Sequence, residues 1–154
     1  MIETRSQSSA EVELLSFRLA EQEYSVDIMS VREIRGWTRA TPLPHSPPFM
    51  RGVINLRGTV LPVIDLASRL GMPPVEGDAR NVIIVVHAGG QSVGLLVDAV
   101  SDILALPRTE LQPPPELAAD LAHSFVQALT IVDGRMIRVL DLSAVLPTYQ
   151  TEAA

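Results

Sequence analysis

Apolar residues in this chain alternate with polar ones in short runs, and the breaks between runs carry turn residues. A period of two fits a half-buried strand and cannot be reconciled with a long amphipathic helix. Leu15, Phe17 and Leu19 alternate, Ala20 to Glu23 form a turn, and Tyr24, Val26 and Ile28 resume the pattern. A second hairpin joins Val53–Leu56 to Thr59–Ile64 across Arg57-Gly58, with Pro62 expected on a sheet edge because it has no N–H to donate. A third joins Asn81–His87 to Ser92–Val97 across Gly89-Gly90, and a fourth joins Val126–Val132 to Met136–Leu140 across Asp133-Gly134.

Helical signal is scarce. It is confined to Ile28–Ile34, Leu66–Leu70 ending at Gly71, Pro115–Leu121, and Leu142–Leu146 before Pro147. Val93, Leu96, Val97, Val100, Ile103 and Leu104 also fit helical spacing, but a strand with a bend near Asp98 is the preferred reading. Prolines punctuate the connections, and Pro73-Pro74 with Glu76, Gly77 and Asp78 separates two hairpins from two more. This predicts two small β-barrel subdomains that share one core, since either half alone buries too little. The expected layout is a tail over residues 1–12, one domain over 13–147 divided near 73–80, and a tail over 148–154.

Composition narrows the chemistry. With 154 residues and 47% hydrophobic content the chain is long enough for a core of its own, and it has no cysteine for disulfides, thiolate metal sites or thiol nucleophiles. All basic residues are arginine, which removes lysine Schiff-base chemistry. The net charge of −6 argues against a nucleic-acid binder, and no apolar run approaches the ~20 residues of a membrane span. No signal peptide is read at the N-terminus, so a cytoplasmic location is expected. Charge is uneven, however. Residues 31–75 hold Arg32, Arg35, Arg39, Arg51, Arg57 and Arg69 against only Glu33 and Asp65, which suits either a solvated face or a docking surface for an acidic partner.

Catalytic motifs are weak. Gly90-Gln-Ser92-Val-Gly94 matches G-x-S-x-G, and Asp102 or Asp120 followed by His123 repeats a Ser, Asp, His order, so a small serine hydrolase using Ser92 is one alternative. That fold needs parallel βαβ units, whereas this chain offers hairpins, and a hairpin turn is the better reading of the motif. His45, His87 and His123 lie in different elements with no metal-ligand spacing. Asp98 and Asp102 are the one close acid pair in an apolar neighbourhood. A Glu33–Arg57 ion pair would hold the first helical turn against the second hairpin, either as an internal brace or as a pair poised for a partner.

Several stretches together carry a more specific signal: Tyr24-Ser-Val-Asp-Ile28, Val31-Arg-Glu-Ile-Arg-Gly-Trp37, Gly52-Val-Ile-Asn-Leu-Arg-Gly58, Val60-Leu-Pro-Val-Ile-Asp-Leu66 and Val93-Gly-Leu-Leu-Val-Asp-Ala-Val-Ser-Asp-Ile103. The likeness continues through Pro114-Pro-Glu116 and Asp133-Gly-Arg-Met-Ile137. In these residues the sequence resembles the CheW-like family of chemotaxis coupling proteins, over about residues 13 to 146. The resemblance implies an all-β fold of two intertwined SH3-like five-stranded barrels with a few short helices. It also implies an adaptor without catalysis, cofactor or metal, which couples chemoreceptor cytoplasmic tips to the regulatory domain of the histidine kinase CheA. An adaptor of a non-swimming chemosensory system, such as surface motility, fits the same family. By motif position, Val31, Glu33, Arg57, Val100 and Ile103 fall on receptor-docking positions, and Gly52 and Val60 on positions in or beside the kinase contact. The family usually has Gly where Ala128 stands; a methyl group is accommodated there if φ stays negative.

Overall fold

The computed structural model describes residues 10–115 and 125–147. Among these residues ten strands run in chain order: β1 Glu11–Leu19, β2 Gln22–Asp27, β3 Val31–Gly36, β4 Met50–Leu56, β5 Thr59–Asp65, β6 Val82–Ala88, β7 Gln91–Val97, β8 Ala99–Pro107, β9 Val126–Val132 and β10 Arg135–Leu140. Two single-turn helices, α1 Leu66–Arg69 and α2 Leu142–Val145, follow β5 and β10. Each helix starts because an aspartate caps it. Asp65 accepts from Ser68 N at 3.1 Å, and Asp141 accepts from Ser143 N at 3.1 Å.

Turn chemistry fixes the expected hairpins. Arg57 and Gly58 (φ 51° and 87°), Gly89 and Gly90 (60° and 79°), and Asp133 and Gly134 (52° and 78°) all hold two successive positive φ angles, the geometry that matches strand twist in a two-residue loop. The chain bends at Asp98 and continues as β8, as the strand reading predicted. Asp98 Oδ2 also accepts from Ala20 N at 2.5 Å, tying the β1–β2 turn to that bend.

The strands form two five-stranded sheets, ordered β8-β1-β2-β10-β9 and β3-β6-β7-β5-β4. Neither sheet zips its two outer strands together along their length. In each, the chain beyond one outer strand makes a single bridge to the other: Thr41 to Val53 after β3, and Gln112 to Leu129 after β8. The sheets do not divide at residues 73–80, because each takes strands from both sides of that stretch. The parallel pairings β2–β10 and β5–β7 interlock them. A swapped repeat accounts for this pattern. Strands β1 to β5 with α1 match β6 to β10 with α2, and the leading hairpin of each half joins the other half's sheet. Val63-Ile-Asp-Leu-Ala-Ser-Arg-Leu70 matches Val139-Leu-Asp-Leu-Ser-Ala-Val-Leu146, and Phe49 matches Phe125, whose carbonyls accept from Asp65 N and Asp141 N respectively.

Burial follows the alternation. On β1, Leu15, Phe17 and Leu19 face the main core shared with β6 and β7, while Val12 and Leu14 line a smaller core with Leu106, Ala128 and Val139. Fully burying one such side chain is worth about 1.5–3 kcal/mol, so β1 serves both sheets at once.

Two further expectations need correction. Ile28–Ile34 is not a helix: a 3-10 turn spans Ile28–Ser30, and the rest is strand β3 paired to β6. The i, i+3 spacing of Val31 and Ile34 misled, since Ile34 points outward at 46% exposure and Val31, Glu33 and Arg35 are the inward positions. Pro62 is not on an edge strand, because β5 lies between β7 and β4. It is tolerated because its partner Val53 spends both backbone groups on Thr41, and because the ladder with β7 covers only Val63–Asp65. The predicted helix at Pro115–Leu121 lies, apart from Pro115, outside the described residues.

Candidate functional site

Glu33 points inward from β3, an outer strand of its sheet, toward the other outer strand, β4, whose turn carries Arg57. Arg57 Nη2 donates to Glu33 Oε1 at 2.5 Å, so a side-chain pair spans the two outer strands at one end, as the Thr41–Val53 bridge does at the other. Arg35, two residues along β3 on the same face, takes the second carboxylate oxygen at 3.2 Å. With both oxygens occupied, the carboxylate is fixed in orientation and Arg57, 68% exposed, is held at the lip.

These bonds set the protonation behaviour. The Arg57 hydrogen bond first, and then that of Arg35, lower the Glu33 pKa from its ordinary value, while Glu33 raises that of Arg57. A carboxylate lowered in the folded state stabilises the fold above its unfolded pKa and loses that contribution as pH falls through the folded value. Carboxyl NMR titration should therefore place the Glu33 midpoint below the free-glutamate value of about 4.3, and Arg57→Gln should move it up. A wild-type midpoint at or above that value contradicts the paired geometry.

A cleft of about 460 Å³ adjoins the pair, floored by Leu56, Leu61 and Val85 and rimmed by Arg32, His87 and Ser92. Ser92 does not sit on a strand-to-helix elbow. The G-x-S-x-G residues form the Gly89-Gly90 turn and the first half of β7, which overturns the hydrolase context. Ser92 Oγ and His87 Nδ1 share a 2.8 Å hydrogen bond across β6 and β7, and no carboxylate orients His87 among the described residues. Asp120 and His123 lie outside those residues. Asp98 and Asp102 do not form an acid pair: Asp98 binds Ala20 N and Asp102 binds Ile103 N.

The other singled-out residues divide between the sheets. Val31 and Val100 are half-buried and pack against the main core from β3 and β8, whereas Ile103 on β8 is 56% exposed. Val60 on β5 is 69% exposed. Gly52 on β4 is buried with φ at 137°, and a Cβ there would lie 2.1 Å from the Thr41 carbonyl oxygen, so its role is to let β4 approach that segment. Ala128 occupies the matching place in the other half, keeps φ negative, and packs its methyl into the smaller core.

The basic stretch proves to be largely spent internally. Arg51 binds buried Asp65 through Nε and Nη2, at 3.2 and 3.1 Å, and donates to the Val75 carbonyl. Arg69 lies between the Phe49 and Phe125 rings, 4.6 and 4.9 Å from their centroids, and donates to the Ala144 and Val145 carbonyls. Burial lowers its pKa from the usual guanidinium value. Sequence reasoning missed Arg35 as the second clamp on Glu33. The two-residue spacing signals it only once Val31–Gly36 is read as a strand.

Fold and site together define an interlocked module of two five-stranded β-sheets, SH3-like in arrangement, whose conspicuous polar feature is an ion pair beside an apolar cleft. A CheW-like domain model matches residues 13–150, and the chain belongs to that family. It is 53% identical over 150 residues to a probable chemotaxis protein CheW of Rhizobium etli, covering 97% of each chain. Against the chemotaxis protein CheW of Rhizobium meliloti it is 51% identical, covering 92% of each. The crystal structure of the scaffolding protein TtCheW from Thermoanaerobacter tengcongensis superposes with a TM-score of 0.82 at 34% identity, over 89% of this chain and 93% of that one. Protein FrzA of Myxococcus xanthus is 30% identical over 96% of this chain and 93% of its own.

Proposed function

We propose that this chain is a non-catalytic connector in the cytoplasm that joins chemoreceptor tips to the regulatory domain of the histidine kinase CheA. It is recruited to the membrane through those partners. Among its described residues no helix is long and apolar enough to cross a membrane. The observation that carries the reading is Arg57, exposed yet fixed by Glu33 at the lip of an apolar cleft, a preorganised contact that costs little ordering on binding. Receptor docking is assigned to Glu33 and Arg57 with Val31, Val100 and Ile103, and kinase docking to the exposed Val60 and the β4 shape that Gly52 permits. Two modest contacts suffice, because an array multiplies them by avidity.

Arg57→Glu tests this directly. It reverses the charge at an exposed site and should leave the circular dichroism spectrum unchanged while weakening binding to a soluble receptor-tip fragment by about tenfold or more. Unchanged receptor binding overturns the docking assignment. The likeness to Protein FrzA, which carries a different name, keeps a second reading open: an adaptor of a chemosensory system other than swimming, using the same two faces.

A further inference from the structure

Once internal bonds are accounted for, the charge of residues 31–75 concentrates at one place. Arg51 and Arg69 are engaged with Asp65 and with backbone carbonyls, away from the cleft. Arg32 and Arg57 line the cleft with the single carboxylate of Glu33, and Arg35 binds that carboxylate from outside the lining, so the group as a whole carries a surplus of two positive charges. The Arg32 side chain makes no hydrogen bond or ion pair among the described residues. Arg57 commits only Nη2 to Glu33, leaving its other donors open. On the opposite rim, His87 Nδ1 and Ser92 Oγ are hydrogen-bonded to each other.

Building on the receptor reading, we propose that this cleft receives a carboxylate side chain from the partner, clasped between Arg32 and the open edge of Arg57, with the partner's apolar surface resting on half-buried Leu56. A guanidinium offers planar paired donors that match a carboxylate. The apolar floor suits a protein surface, and the overall charge of −6 repels an extended polyanion such as nucleic acid, so a single acid on an apolar face fits best. Arg35 is a positioning residue here: by holding the second oxygen of Glu33 it keeps Arg57 turned toward the incoming group.

The test measures binding of a soluble chemoreceptor-tip fragment to the full chain at 50 mM and 500 mM salt. The chain is wild type, Arg32→Gln, or Arg39→Gln, the last losing the same charge outside this cleft. Each acidic residue of the tip fragment is also changed in turn to its amide. Arg32→Gln should weaken binding about threefold to tenfold at low salt and less than about twofold at high salt, with Arg39→Gln changing it by less than about twofold. One tip variant should abolish the Arg32 effect in a double-mutant cycle. Equal effects of Arg32→Gln and Arg39→Gln, no Arg32 effect, or no coupled acid overturn the clasp while leaving the receptor reading intact. Failure of the wild-type chain to bind the tip overturns both.

Discussion

Gly52→Ala should unfold this protein at a much lower denaturant concentration, with a loss of about 3–5 kcal/mol. The added Cβ would sit 2.1 Å from the Thr41 carbonyl oxygen and 2.5 Å from its carbon, and both atoms are backbone that forms the Thr41–Val53 bridge. Relief requires breaking that bridge or moving β4 off a φ of 137°, and backbone strain of that kind adds about 1–3 kcal/mol to the overpacking cost. The matching position is the control. Ala128 already carries a methyl group at negative φ, so Ala128→Gly should cost only about 1 kcal/mol, from the small core vacancy and added chain entropy. Urea melts of both variants with an unchanged slope would separate them. Equal losses at the two sites would show that the close approach at Thr41 does not constrain the fold.

Arg69→Ala should cost a similar amount, about 3–5 kcal/mol. The guanidinium lies between two rings from the two halves of the chain and donates at 2.7 Å to the Val145 carbonyl and at 3.2 Å to Ala144. Truncation leaves two carbonyls at the end of α2 without their donor and removes both ring contacts; charged hydrogen bonds contribute about 1.5–3 kcal/mol each before non-additivity is considered. Arg69→Lys should recover less than half, because one ammonium cannot stack between two rings and serve two separate carbonyls. A loss under about 1 kcal/mol for the alanine variant would mean that the halves are joined elsewhere.

How far the residues alone reveal this fold depends on the reach of the interaction. The hairpins are legible because alternation and turn chemistry are local: Asp133-Gly134 and Arg57-Gly58 adopt the positive φ angles that their places between strands demand. Strand β3 is not legible, since its apolar spacing mimics a helix and its extended state comes from pairing with β6, some fifty residues on. The interlocking rests on the parallel β2–β10 and β5–β7 ladders, which no local pattern encodes, although the likeness of Val63–Leu70 to Val139–Leu146 signals a duplication. The Glu33–Arg57 pair could be named from its residues, but Arg35 could not be given its place until the strand was known. Nor could sequence tell which arginines are spent: Arg51 and Arg69 look as available as Arg32 until Asp65, the two rings and the α2 carbonyls are set around them.

On the proposed function, one molecule of this chain holds a receptor and a kinase at the same time. The direct measurement is capture of an isolated CheA regulatory domain by an immobilised chemoreceptor-tip fragment, with and without this chain. Retention of the regulatory domain only when the chain is present, and its loss with Arg57→Glu, is the predicted result. Competition between the two fragments for the chain, so that adding one releases the other, would rule out simultaneous binding.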